Sequence, residues 1–174
     1  DKFNKDFAFH WQRREDNTIV RSWKEFADNV LSIPMAHQMA TNYMILDGTK
    51  NKETLKVMRP YQVYATQKVV EGIKRTDFEA GNNKIGYIWH TTGSGKTITS
   101  FKTAWLASRM PNVDKVVFVV DRIALTRQTS EDYKAYDPDG EIGDETRLGS
   151  VRDTNNTNDL SRKLKSKDNN IIVT

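Results

Sequence analysis

Gly93-Ser94-Gly95-Lys96-Thr97 puts two glycines, a lysine and a hydroxyl within five consecutive residues. That set suits the grip of a polyphosphate. A triphosphate needs a concave array of backbone N–H donors, and glycine lets the chain curl without Cβ clashes. A helix starting near Lys96 would add its N-terminal amides and dipole. In the pattern G-x-x-x-x-G-K-[ST] the lysine reaches the β- and γ-phosphates and the hydroxyl takes one Mg²⁺ position. Thr92, Gly93, Ser94, Gly95, Lys96 and Thr97 are therefore candidate ATP contacts. Lys96 and Thr97 are the candidate catalytic pair, with Thr97 the candidate Mg²⁺ ligand. His90 stands where that pattern has its first glycine, and reads as a structural loop residue.

Two flanking segments narrow the choice among phosphate-loop proteins. Arg59-Pro60-Tyr61-Gln62 opens a helix upstream of the loop. A glutamine amide has a donor and an acceptor that match the N6 and N7 edge of adenine. Read alone, Gln62 is an ordinary surface helical residue; at this distance before the loop, Gln62 and Arg59 become candidate nucleotide contacts. No N-K-x-D guanine-reading motif is present, which counts against a GTPase. Downstream, Val119-Val120-Asp121-Arg122 sits at the carboxyl end of an expected strand, where open α/β sheets bind ligands. Arg122, Thr126, Arg127 and Gln128 could hold a DNA phosphate backbone without reading bases, the alternative being an ordinary solvated helix start. His10, His37 and His90 lack metal-ligand spacing, and Pro138-Asp139 has no Glu-x-Lys partner after it.

These residues need elements to position them. Ser22-Trp23-Lys24-Glu25 has the form of a capping box, so about 23–32 should be an amphipathic helix, broken by Pro34. The stretch 35–46 can form a second helix with Met35, Met39 and Tyr43 on its core face. Asp47-Gly48 and the following TKNKE read as a linker. Pro60 suits the first turn of a helix running to about Arg75. Ile85, Tyr87, Ile88 and Trp89 form an apolar run expected to be the strand before the loop. A helix from Lys96 to about Met110 should follow, then a buried strand at 115–120, a helix at about 123–136, an acidic loop at 137–147, a weak helix at 157–166, and a last strand in the closing IIVT. Alternating strands and helices with buried strands give an α/β fold with a parallel sheet flanked by helices, preceded by a small, mainly helical segment.

Composition sets the outer limits. Of 174 residues, 37% are hydrophobic and 29% charged, enough to bury a core. No run of about 20 apolar residues exists, which excludes a transmembrane helix. With no cysteine, disulfide scaffolds, thiolate metal sites and Cys nucleophiles are all excluded; that suits a reducing cytoplasm. The net charge of +4 is permissive for a polyanionic partner and no more.

The motifs together resemble a known family. RPYQ, YIWHTTGSGKTITSFKTA, KVVFVVDRIALTRQT and IIVT are similar to the motor region of the R subunit of type I restriction enzymes, over about 58–174. That family also carries His at the first glycine position of the loop. FHWQRREDNTIVRSWKEFADNVL resembles the stretch that joins its nuclease domain to its motor. The resemblance implies a RecA-like domain of helicase superfamily 2 at 51–174, following the end of a nuclease domain at 1–50. It implies an ATP- and Mg²⁺-dependent translocase of double-stranded DNA, partnered by modification and specificity subunits. By motif matching, Gln62 contacts adenine, Lys96 and Thr97 take phosphate and Mg²⁺, and Arg122 and Gln128 fall in a motif that grips a DNA strand. Two other readings stay open: a superfamily 2 helicase or remodeller without nuclease, and a nucleotide-binding module without turnover.

The resemblance places the acidic box that completes Mg²⁺ binding beyond Thr174, and the nuclease residues before Asp1. A 1–174 piece is accordingly expected neither to hydrolyse ATP efficiently nor to cut DNA. Turnover by that piece, abolished by Lys96→Ala, would contradict the expectation.

Overall fold

The computed structural model describes residues 8–48, 54–77, 79–81, 85–140, 149–168 and 170–174. Of the expected linker at 47–53, Asp47 ends a strand and Gly48 follows it; its remainder at 49–53, the boundary at residue 50, the opening residues 1–7 and most of the acidic loop lie outside the described residues.

The first described residues form a small hairpin, in which Gln12 bridges Ile19 and Val20 N donates to Trp11 O at 2.8 Å. Helix α1 (Trp23–Phe26) continues as a π-helical turn, Ala27–Leu31. Ser22 Oγ accepts from Glu25 N as the capping box requires. The reciprocal half is missing, because the Glu25 carboxylate is taken by the Arg13 guanidinium at 2.5 and 2.7 Å. A bidentate charged pair outweighs one neutral backbone contact.

Helix α2 (Met35–Asn42) is shorter than expected, and Met44–Asp47 is a strand, β1. It pairs antiparallel with β2 (Thr54–Val57), with Met44 opposite Val57 and Asp47 opposite Thr54. Ile45 and Asp47 are buried while Leu46 is exposed. That period-two alternation is the strand signature, and cross-strand pairing overrides a helix propensity spread over only four residues.

Helix α3 (Pro60–Arg75) and helix α4 (Lys96–Ala107) follow. After them come β3 (Lys115–Phe118), α5 (Ile123–Tyr136), β4 (Val151–Asp153), α6 (Thr157–Lys165) and β5 (Asn170–Val173). The three later strands form a parallel sheet in the order β3-β5-β4. This is the α/β class with a parallel sheet between helices. α6 starts at Asn156, whose side chain accepts from Asp159 N at 2.9 Å.

Residues 85–89, expected as the strand before the loop, belong to no sheet among the described residues. Tyr87 and Trp89 are 91% and 87% exposed. A strand exists only where another offers its ladder, and among the described residues no strand pairs with this run; what lies against it is helix α3, where Gly72 faces the Ile85 side chain.

Two hydrophobic clusters hold the elements. Ile45, Phe101, Tyr133, Tyr136, Ile171 and Val173 build the first, between α4, α5 and the sheet. The Phe101 ring meets Tyr133 edge-on at 5.3 Å and Tyr136 at 5.6 Å. In the second, Trp11, Val30, Met39 and Tyr43 pack on Met58 and Val63, which ties the N-terminal segment to α3. Ile98 of α4 packs against both clusters. Burying one such side chain contributes roughly 1.5–3 kcal/mol, so α4 is fixed from two sides.

One buried charge works against this packing. Lys102 is 4% exposed and its ammonium lies 4.4 Å from the centre of the Trp105 ring. Among the described residues it pairs with no carboxylate. Burial, and then the neighbouring Arg109, push its pKa down to about 8 from the ordinary 10.5. Below that window both folded and unfolded states are charged and the fold carries the desolvation. Between the two values the unfolded chain holds more protons, so stability rises with pH. Lys102→Met should therefore stabilise the fold at pH 7, by on the order of 1 kcal/mol or more, and remove the rise between pH 8 and 10. Denaturant unfolding at both pH values measures this; a less stable variant at pH 7 would refute it.

Candidate functional site

The candidate phosphate loop occupies residues 90–95, and α4 begins directly behind it at Lys96. Gly93 and Gly95 have φ of 77° and 79°, the left-handed region that disfavours any side chain. These two turns curl the loop. They leave the first amides of α4 at its mouth, where an N-terminal dipole favours an anion.

Gln62 closes the loop from the side of α3. Its Oε1 accepts from Arg59 N at 2.8 Å, the acceptor half of a capping interaction at the helix start. Its Nε2 donates to Ser94 O at 2.8 Å. Gln62 is only 6% exposed, and these bonds leave one N–H and one oxygen lone pair for a ligand. A Cβ at residue 95 would stand 2.3 Å from Gln62 Nε2. Gly95 is thus favoured by its positive φ, and a side chain there would also push the Gln62 amide off its bonds to Arg59 and Ser94.

Lys96 is exposed, and its Nζ donates to Thr91 O at 3.1 Å. A carbonyl is a weak partner for an ammonium compared with a phosphate, so this contact is replaceable. Along α4, Thr99, Ser100 and Thr103 all donate their hydroxyls to backbone carbonyls of the preceding turn. Among the described residues the Thr97 hydroxyl makes no such bond, which leaves it able to act as a ligand oxygen. These residues fit a Mg²⁺-nucleotide: a curled amide loop, a displaceable ammonium and an uncommitted hydroxyl. Among the described residues no group of three or more His, Asp or Glu could hold a metal ion by itself, so Thr97 would need the phosphates as co-ligands.

Thr92 and Gly93 are exposed at the loop tip. Arg59 is exposed too, its guanidinium 5.9 Å from the centre of the Phe9 ring. With Pro60 and Tyr61 these two line a cleft of ≈ 180 Å³ beside the start of α3.

Two residues of this site were not assigned a contact from sequence. Tyr61 donates its phenol to Ser94 O at 2.8 Å. His90 Nδ1 lies 3.0 Å from Ser94 Oγ, while its Nε2 is buried without a partner. Burial, and then the Lys96 charge, lower the His90 pKa below its ordinary value. Tyr61 could have been suspected from its place next to Gln62, but nothing in the sequence says that its hydroxyl reaches the loop.

The expected DNA-gripping residues stand apart. Arg122 is the N-cap residue of α5, exposed, and weakly paired with Asp121 at 3.9 Å. Thr126 Oγ1 donates to Arg122 O at 3.0 Å, and Arg127 pairs with Glu131. Gln128 is exposed. No hydrogen bond or ion pair among the described residues links this turn to the phosphate loop.

Comparison with known proteins adds a family. A model described as "Type III restriction enzyme, res subunit" matches residues 55–174. An endonuclease subunit of a type I restriction enzyme from Staphylococcus saprophyticus is 41% identical over 170 residues, 98% of this chain and 16% of that protein. A putative type I restriction enzyme endonuclease subunit, C-terminal part, from Mycoplasma pneumoniae is 39% identical over 158 residues, 88% of this chain and 70% of that protein. A putative archaeal counterpart from Methanocaldococcus jannaschii is 32% identical over 138 residues, 74% of this chain. The chain therefore spans about a sixth of the length of the staphylococcal relative.

Gly95→Ala tests the loop geometry. It forces a methyl group onto Gln62 Nε2 and strains φ, and should destabilise the fold by about 1–2 kcal/mol while abolishing nucleotide binding. Thermal unfolding and titration with a fluorescent ATP analogue read both effects. Undiminished binding would contradict the geometry.

Proposed function

Since the chain belongs to the family of type I restriction enzyme endonuclease subunits, with a helicase-like, RecA-like domain over most of its length, we propose that it is the ATP-binding part of a double-stranded DNA translocase. The observation that carries this reading is the state of Lys96: an exposed ammonium at the start of α4, resting on the Thr91 carbonyl beside a free Thr97 hydroxyl.

On this reading Lys96 leaves Thr91 O for the β- and γ-phosphates, a gain because a charged acceptor replaces a neutral one. The α4 amides and the Gly93–Gly95 curl hold the remaining oxygens. Thr97 would hold Mg²⁺ through its hydroxyl, and the ion would supply positive charge beside the phosphate oxygens during transfer to water. Gln62 offers its remaining N–H and lone pair to the adenine edge, and the cleft lined by Phe9, Arg59 and Tyr61 stands on the base side. Arg122, Thr126 and Gln128 hold one strand through its phosphates, which makes that contact salt-dependent and nearly blind to sequence.

The division into a junction segment at 1–50 and a motor domain at 51–174 belongs to the same proposal. So do the restriction activity of the whole protein, its modification and specificity partners and a cytoplasmic site of action. No helix of the described residues is long and apolar enough to cross a membrane.

The test follows cleavage of unmethylated circular duplex DNA by the full-length subunit with its modification and specificity partners, with and without ATP. Lys96→Ala should lower ATP turnover by about 10²–10³-fold and abolish cutting. Duplex-stimulated ATP hydrolysis without cutting would move the assignment to a helicase or remodeller. ATP binding without any turnover would leave a nucleotide-binding module.

A further inference from the structure

We propose that Tyr61 and His90 are positioning residues of the nucleotide site, which hold Ser94 by its carbonyl and its hydroxyl and thereby set the curl of the phosphate loop before any nucleotide arrives. The proposal rests on the nucleotide reading above and goes beyond it, because neither side chain is one that the loop pattern asks for.

Ser94 is where the two halves of the site meet. Its carbonyl accepts from Tyr61 OH and from Gln62 Nε2, each at 2.8 Å. Both donors come from the first turn of α3, the base side. Its hydroxyl donates to Thr91 O at 2.7 Å. That hydroxyl has one hydrogen, so towards His90 it can only accept. His90 Nδ1 therefore carries the proton and donates across the 3.0 Å contact, which leaves Nε2 as a bare lone pair, buried and without a partner. A second proton there would be buried with no acceptor and would face the Lys96 charge, so the ring works as a neutral, one-donor group. The Tyr61 and His90 rings also meet edge-on, with centroids 6.3 Å apart. A glycine at position 90 could make none of these contacts, and a phenylalanine at 61 would keep the ring but lose the hydroxyl.

If these residues position the loop rather than touch the base, their loss must weaken every ligand that uses the loop by one factor. The experiment compares ATP and inorganic tripolyphosphate, each with Mg²⁺, by calorimetric titration of the full chain. Tyr61→Phe should weaken both ligands equally, by roughly three- to tenfold, the range of one net hydrogen bond. His90→Ala should do the same. His90→Asn, which keeps a donor at the place of Nδ1, should restore affinity to within about twofold of wild type. Because both residues act on Ser94, the double variant Tyr61→Phe/His90→Ala should depart from additivity.

Weakening of ATP alone would make Tyr61 a base contact and overturn the positioning role. So would wild-type affinity in both single variants, or an asparagine that fails as badly as alanine. A lower melting temperature with unequal effects on the two ligands would count against it too. A wild-type chain that binds neither ligand would overturn the nucleotide reading and this proposal with it. Wild-type binding that the variants leave untouched overturns the proposal alone.

Discussion

The close approach of the Gln62 amide to the backbone at Gly95 governs this structure. It brings the first turn of α3 against the phosphate loop, leaving no room for a β-carbon between them. One glutamine side chain thereby does three things at once: it satisfies the free amide at Arg59, closes α3 onto Ser94, and keeps part of its bonding capacity for a ligand. The N-terminal segment depends on the same helix. Tyr64 OH donates to Gln12 O at 2.6 Å, and Trp11 stacks edge-on against Tyr64 at 5.9 Å. A shift of α3 would disturb the hairpin and the loop together.

Behind the loop, α4 converts that local contact into a rigid site. Ile98 reaches both hydrophobic clusters, Phe101 meets the rings of Tyr133 and Tyr136, and the Trp105 ring has the cations of both Lys102 and Arg109 against it. The Arg109 guanidinium is 3.6 Å from the ring centre. Tight interiors do not deform continuously, so the first turn of α4, with Lys96 and Thr97, inherits its position from the core. The loop keeps its curl through its two left-handed glycines, a backbone bond from Ser94 N to Thr91 O at 3.3 Å and the side-chain bonds to Ser94.

Much of this was legible in the sequence where local rules and tertiary packing agree. The α3 start at Pro60, the α4 start at Lys96, the bounds of α5 and the closing strand all follow from proline placement, glycine and apolar period. The reading failed where a distant partner decides. Residues 44–47 look helical until β2 supplies a ladder. Residues 85–89 look like a strand, but among the described residues no ladder reaches them. Glu25 fits a capping box until Arg13 takes its carboxylate. Within the site, the loop motif marked Lys96, Thr97 and the glycines, and the upstream RPYQ marked Gln62. The contacts of Tyr61 and His90 run 33 and 4 residues along the chain to Ser94. The first is invisible to any local rule, and the second lies where the standard pattern prescribes a residue with no side chain at all.

The curl of the loop has a consequence for kinetics. On the proposed nucleotide reading, the two left-handed glycines and the three side chains holding Ser94 belong to the fold itself, so the entropy of ordering the loop would be met on folding rather than on binding. The arriving phosphate has only to draw Lys96 off the Thr91 carbonyl, a side-chain rotation of the nanosecond class. Association should then be set by diffusion and charge, at similar rates for different nucleotides. Discrimination among them would then fall to the rate of departure, so that a base contacted by Gln62 as proposed would be read as residence time.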